Sequence, residues 1–218
     1  MNIALIVFAG TGSRMNLSIP KQFVNVKGKE LFCYTVEVFQ NHPLIDEIVL
    51  VTHKDYIEHV KELTKSYNKV KYIVSGGDSR QESVRLGLEA HRYFDSDKVL
   101  IHDGDRPLIN ATIISENLKE LDYFDAVCTA IKHKEAASFV SNLGRSKVIG
   151  DEEIDVQTPQ SFKYGIIKKY HEDNKGGNFS DDIGLLEKDI EVKYVQGDPH
   201  NFKVTLDVDL KVFESMVK

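Results

Sequence analysis

Cysteine is nearly absent, and its two copies, Cys33 and Cys128, lie far apart in apolar settings. Disulfide frameworks and thiolate metal sites need clustered cysteines. Both residues therefore read as buried free thiols of a reducing compartment, and a cytoplasmic protein is expected. An excess of positive charge is missing too: 28 Lys and Arg stand against 34 Asp and Glu, a formal net charge of −6. That leaves no basic field for duplex nucleic acid. Long apolar runs are also lacking. The first, residues 3–7, is far too short to span a membrane and has no charged leader before it, so no membrane partner is expected. No repeat, low-complexity tract or His/Cys cluster with zinc spacing is visible, and His102 alone reads as a packed or bridging histidine.

What is present is an alternation. Apolar runs at 3–8, 47–52, 70–75, 98–102 and 126–131 read as strands, separated by helical patterns at 31–39, 56–67, 79–94 and 111–121. Strands alternating with helices predict an α/β fold, a parallel sheet with helices on both faces. Length and a 41% hydrophobic content suit one well-buried domain with room for an arm. From 132 to 157 the pattern weakens. Short strands at 137–140 and 147–149, around the turn 141–144, predict a projecting hairpin. Beyond it come a helix at 163–173, a helix capped by Ser180 and running to 188, a strand at 192–196 and a closing helix at 208–217.

In parallel sheets ligands sit at the carboxyl ends of strands, and there the polar residues gather. After the first strand comes Ala9-Gly10-Thr11-Gly12-Ser13-Arg14, followed by Pro20-Lys21-Gln22. Small residues let backbone N–H groups approach phosphates, and Arg14 and Lys21 can neutralise them. The segment is no Walker loop, because Gly12 is followed by Ser-Arg. It is no dinucleotide fingerprint, because Met15 stands where a third glycine belongs. A plain tight strand exit is the competing reading.

After the third strand, Gly76-Gly77 leaves room for a flat base or ribose, with Arg80 and Ser83 on one face of the next helix. After the fourth comes His102-Asp103-Gly104-Asp105-Arg106-Pro107. A carboxylate beside a phosphate loop suits Mg²⁺, with Asp103 the expected ligand; an Asp103–Arg106 pair across a turn is the alternative. Gln157-Thr158-Pro159-Gln160 reads alone as a loop leading into a helix. Lys203 reads alone as a surface lysine on a short strand.

Taken together, these ordered blocks resemble the cytidylyltransferase family that makes CDP-activated methylerythritol and CDP-ribitol, almost end to end. The resemblance implies a Rossmann-like three-layer nucleotidyltransferase domain over residues 1–218. Residues 132–157 would be its arm, used for homodimerisation and acceptor binding. It implies CTP held by Ala9, Gly10, Thr11, Gly12, Gly76, Gly77, Arg80, Ser83 and Asp103, with Mg²⁺ on Asp103. Arg14, Lys21 and Lys203 would be catalytic, around the α-phosphate. The acceptor phosphate would lie near Asp105, Arg106, Lys132, Gln157 and Thr158.

The acceptor half departs from the family pattern. Glu135-Ala136 stands where Asp-Thr is expected, Gly150 where an arginine is expected, and Asp105 where an alanine is expected. Lys132, His133, Lys134, Arg145 or Lys147 could supply substitute cations. On that ground the expected acceptor is ribitol or glycerol phosphate, for a capsule or teichoic-acid-like polymer, with methylerythritol phosphate as the alternative. A nicotinamide-binding oxidoreductase and a non-catalytic nucleotide-binding regulator are readings from other classes. The missing third glycine opposes the first, and retention of Arg14, Lys21, Asp103 and Lys203 opposes the second.

Overall fold

The computed structural model describes residues 1–11, 15, 19–132, 146–149, 152–177, 179–186 and 190–217. The strands are β1 (Asn2–Phe8), β2 (Asn25–Val26), β3 (Lys29–Glu30), β4 (Glu47–Thr52), β5 (Val70–Ser75), β6 (Lys98–Asp103), β7 (Ala126–Lys132), β8 (Ser146–Ile149), β9 (Glu152–Lys163) and β10 (Val192–Gln196). The helices are α1 (Leu31–Asn41), α2 (Ile57–Thr64), α3 (Arg80–Leu88), α4 (Ala111–Glu120), α5 (Tyr164–Asp173) and α6 (Asp207–Met216). The expected α/β architecture is present, and the main sheet runs β10-β7-β9-β6-β1-β4-β5.

β1 shows why three layers form. Its side chains alternate: Ile3, Leu5 and Val7 enter one core with Val84, Leu88 and Ile167 of α3 and α5. Ala4, Ile6 and Phe8 enter the other, with Phe32, Phe39, Val60 and Ile114 of α1, α2 and α4. A strand apolar on both faces must be covered on both, each buried aliphatic or aromatic side chain contributing roughly 1.5–3 kcal/mol.

β1 pairs in parallel with β4 on one side and β6 on the other. From β1 the chain winds outward through β4 to β5, then crosses back to β6. The carboxyl ends of β1 and β6 therefore flank a switch point, where such sheets open a crevice.

The sheet is mixed rather than wholly parallel. β9 lies antiparallel between β6 and β7. Residues 157–162, expected as a loop and helix start, belong to this strand, which runs on from its pairing with β8 into the sheet. Proline is normally excluded from a central strand because it has no N–H for the ladder. Here Pro159 falls where the β7–β9 register shifts, between the pairs Cys128–Gln160 and Ala130–Val156, and its carbonyl accepts a 2.7 Å bond from Thr129 Oγ1. The expected strand at 147–149 lies within β8, whereas the one at 137–140 and its turn lie outside the described residues.

Three local expectations are corrected. The helix expected over 79–94 stops at Leu88. Of the helix expected from Ser180 to 188, the described residues form only a 3-10 turn, Ile183–Leu185; Asp182, which precedes it, makes no capping bond and pairs with Arg80 instead. Residues 201–205 form no strand and are held by side chains, as described next.

Candidate functional site

The crevice at the switch point is a cavity of about 490 Å³, a size suited to a small-molecule ligand. Its two sides differ in chemistry. One is built from backbone and small residues: Ala9, Gly10 and Thr11 leave β1, and Gly77, Ser79 and Ser83 lie at the start of α3. Gln22, in the 3-10 turn Lys21–Phe23, donates to Phe8 O at 2.8 Å and Gly10 O at 2.6 Å and so fixes the exit of β1. Gly76 lies against that exit. A Cβ on it would sit 2.3 Å from the Ala9 Cβ and 2.7 Å from Ser83 Oγ, so only glycine fits. Ser83 Oγ accepts from Gly77 N at 3.1 Å and donates to Ser79 O at 2.8 Å, stapling the loop to the helix. His53, after β4, also lines the cavity. Its Nδ1 accepts from Asp55 N.

The opposite side is a ladder of alternating charge. His171 Nε2 contacts Asp182 Oδ1 at 3.1 Å, and Arg80 Nη1 donates to Asp182 Oδ2 at 2.8 Å. Arg80 Nε donates to Asp103 Oδ1 at 3.0 Å, and Lys203 Nζ to Asp103 Oδ2 at 3.0 Å. Lys203 then approaches Asp105 Oδ1 at 3.7 Å, and Lys21 Nζ lies 2.6 Å from Asp105 Oδ2. Lys21 also donates to Val204 O at 2.6 Å. Buried charges persist only when paired in this manner.

The pairing fixes protonation. Burial alone would raise the Asp103 carboxyl, but Lys203, Arg80 and Arg106 around it hold it well below the usual carboxylate range. Burial would lower Lys203, and Asp103 and Asp105 outweigh that, so its pKa is raised. Asp182 is likewise lowered, Arg80 and His171 outweighing its burial, while Asp182 and Asp103 raise Arg80 against its burial. Asp103, Lys203, Asp182 and Arg80 are thereby fixed in their charged forms. Beneath the ladder, burial lowers His102 to about 4. The Thr158 hydroxyl accepts from Asp103 N at 3.1 Å, so its proton points to His102 Nδ1 at 3.0 Å. The ring proton then sits on Nε2, which donates to Arg106 O at 3.3 Å.

Residues 201–205 owe their position to the same framework. Asn201 Nδ2 donates to Thr158 O at 2.8 Å, Arg106 Nη1 to Asn201 O at 2.8 Å, and Val204 N to Asp105 O at 2.8 Å. Lys203, a lone lysine in the sequence, is thus aimed into the cavity.

Of the residues singled out in the sequence, Ala9, Gly10, Thr11, Lys21, Gly77, Arg80, Ser83, Asp103, Asp105 and Lys203 all line this one cavity. Gly76 packs directly behind it. Gly12 and Arg14 lie outside the described residues. Arg106 and Thr158 sit behind the lining, supporting Asp103 and Asn201, and Gln157 bonds the loop at Asp198 through its Nε2 at 2.9 Å. Lys132 ends β7 and does not line the cavity. The sequence reading missed Gln22, His53, Asp182 and His171. The Pro20-Lys21-Gln22 block carried a signal for Gln22, and Asp182 stood two residues after the expected cap Ser180; nothing marked His53 or His171.

Asp103 is poorly suited to hold a divalent ion alone, since cations engage both of its oxygens. Among the described residues no group of three or more His, Cys, Asp or Glu could hold a metal. Among them, too, no helix is long and apolar enough to cross a membrane.

A sequence model of IspD, 2-C-methyl-D-erythritol 4-phosphate cytidylyltransferase, matches residues 2–218. The chain belongs to that family. A relative in Clostridium novyi, named 2-C-methyl-D-erythritol 4-phosphate cytidylyltransferase, is 40% identical over 225 residues, covering 100% of this chain and 96% of the relative. One of the same name in Clostridium acetobutylicum is 38% identical, covering 100% and 98%. Among solved structures, the 4-diphosphocytidyl-2C-methyl-D-erythritol synthase of Anaerococcus prevotii superposes with a TM-score of 0.81 at 27% identity, covering 98% of this chain and 94% of that one.

Membership of the family makes the protein a CTP-using cytidylyltransferase with the nucleotidyltransferase fold. It also corrects the acceptor. Ribitol or glycerol phosphate, and a role in capsule or teichoic-acid synthesis, were expected from departures at positions 135–136 and 150. A match along the whole chain to proteins named for methylerythritol phosphate outweighs those few positions.

Proposed function

We propose that the protein transfers CMP from CTP to 2-C-methyl-D-erythritol 4-phosphate, releasing pyrophosphate. The full-length match to the methylerythritol-phosphate family carries this reading. In this reading the nucleotide lies along the backbone side, against Ala9–Thr11 and Gly77–Ser83. Its α-phosphate faces Lys21 and Lys203.

A phosphate oxygen of the acceptor attacks the α-phosphorus in line. One P–O bond forms as the bond to pyrophosphate breaks, and the departing oxygen takes the electron pair. An acceptor phosphate is already anionic, so neither a covalent intermediate nor a protein base is required. The protein's task is to orient two anions and stabilise charge as it builds on the α-phosphate and leaving group. Lys21 and Lys203 supply fixed positive charge for this. Arg80 holds Asp103, and through it Lys203, in register.

A divalent ion in this reading arrives on the triphosphate, consistent with the engagement of Asp103 by cations. The reading includes a cytoplasmic setting and homodimerisation through the 132–157 arm, the latter checked by sedimentation of the full chain.

The acceptor is tested by supplying CTP, Mg²⁺ and a panel of methylerythritol, ribitol and glycerol phosphates, with pyrophosphate release and product mass as readouts. Methylerythritol phosphate is expected to exceed the others in kcat/KM by about tenfold or more, the discrimination expected when buried polar partners are lost with the wrong acceptor. A better rate with ribitol phosphate would overturn the proposal.

A further inference from the structure

Asp105 touches both lysines that face the cavity, from a buried position in the turn after β6. Its Oδ2 lies 2.6 Å from Lys21 Nζ. Its Oδ1 lies 3.7 Å from Lys203 Nζ and, though buried, accepts no hydrogen bond. The backbone pins it, since Asp105 O accepts from Val204 N at 2.8 Å beside Lys203.

An ammonium has three protons. Lys21 directs one at Asp105 and one at Val204 O, which leaves one for a ligand. Lys203 gives one to Asp103 and turns toward Asp105. A carboxylate so held does two things: it aims the ammoniums, and its own negative charge offsets theirs at the place where a polyphosphate must bind.

We propose that Asp105 is a positioning residue, a fixed counterion that aims Lys21 and Lys203 into the cavity and loosens the hold of the ground state on CTP. A charge that weakens ground-state binding without displacing the lysines raises KM, while its hold on the ammoniums keeps them oriented for the reacting phosphate. The inference rests on the reading of Lys21 and Lys203 as phosphate-facing cations.

Two substitutions separate the two actions. Asp105→Asn keeps an acceptor oxygen and removes the charge; Asp105→Ala removes both. The Asn variant is expected to lower the KM for CTP about three- to tenfold, and to tighten CTP binding in calorimetry without acceptor by a similar factor, as one like charge beside the phosphates disappears. The Ala variant is expected to lower kcat about tenfold or more, because the ammoniums lose their aim. A CTP affinity in the Asn variant equal to or weaker than wild type would overturn the proposal, and that affinity decides alone if the Ala variant fails to fold. Lys21→Ala separates the inference from its premise. Full turnover in that variant removes the reading of the lysines; lost turnover with an unshifted Asn variant removes only the role of Asp105.

Discussion

The two sides of the cavity are built on opposite principles. On one side Ala9–Thr11, Gly77 and Ser83 present backbone and small neutral side chains, and their shape comes from bonds and packing at Gln22, Gly76 and Ser83. The facing side is a chain of ionisable groups from His171 to Lys21, each held by the next. The neutral side selects by fit and tolerates small polar losses. The charged side is cooperative, so removing one member strands its neighbours.

The largest expected effect therefore comes from Arg80→Ala. It leaves Asp182 with His171 alone and takes one of three cations from Asp103. Breaking a buried ion pair by deleting one partner costs about 3–5 kcal/mol. Urea unfolding should register that loss, and a change below about 1 kcal/mol, the scale of an exposed pair, would show that the ladder is not cooperative.

Acid sharpens the comparison from beneath the charged side. The folded-state pKa of His102, about 4, lies below its ordinary 6.5. Between those values the unfolded chain binds more protons, so stability rises with pH and is lost on acidification from 6.5 toward 4, by up to about 1.4 kcal/mol per pH unit. His102→Gln should show a shallower loss of urea midpoint between pH 7 and 5 than wild type. Parallel slopes would remove His102 as the source.

Ser83→Ala tests the neutral side and should matter least. It removes one staple, worth about 1 kcal/mol. The KM for CTP is expected to rise only a few-fold, about the factor that such an energy represents, in steady-state assays. A loss as large as that of Arg80→Ala would erase the distinction between the sides.

The same division explains what the sequence disclosed. The alternation of strands and helices, and the small residues after β1 and β5, are local patterns, and they located the neutral side and most of the charged residues. The ladder was not legible because most of its links join residues far apart in the chain, as Arg80 to Asp182 and Lys203 to Asp103. Asp182 read only as part of a helix start capped by Ser180, because nothing local shows that Arg80 claims it. β9 was hidden by Pro159, which a register shift in the pairing with β7 accommodates. The acceptor was misread because two local departures in 132–157 were weighed against a pattern that the whole chain shares with its relatives.

The central claim is that the charged side acts on the reacting phosphate. Turnover of Lys21→Ala, measured with CTP binding on the same preparation, tests it most directly. The account predicts a kcat lower by about a hundredfold or more, as for loss of a preorganised charge-stabilising donor, with CTP still bound. Near-normal turnover in Lys21→Ala would contradict it.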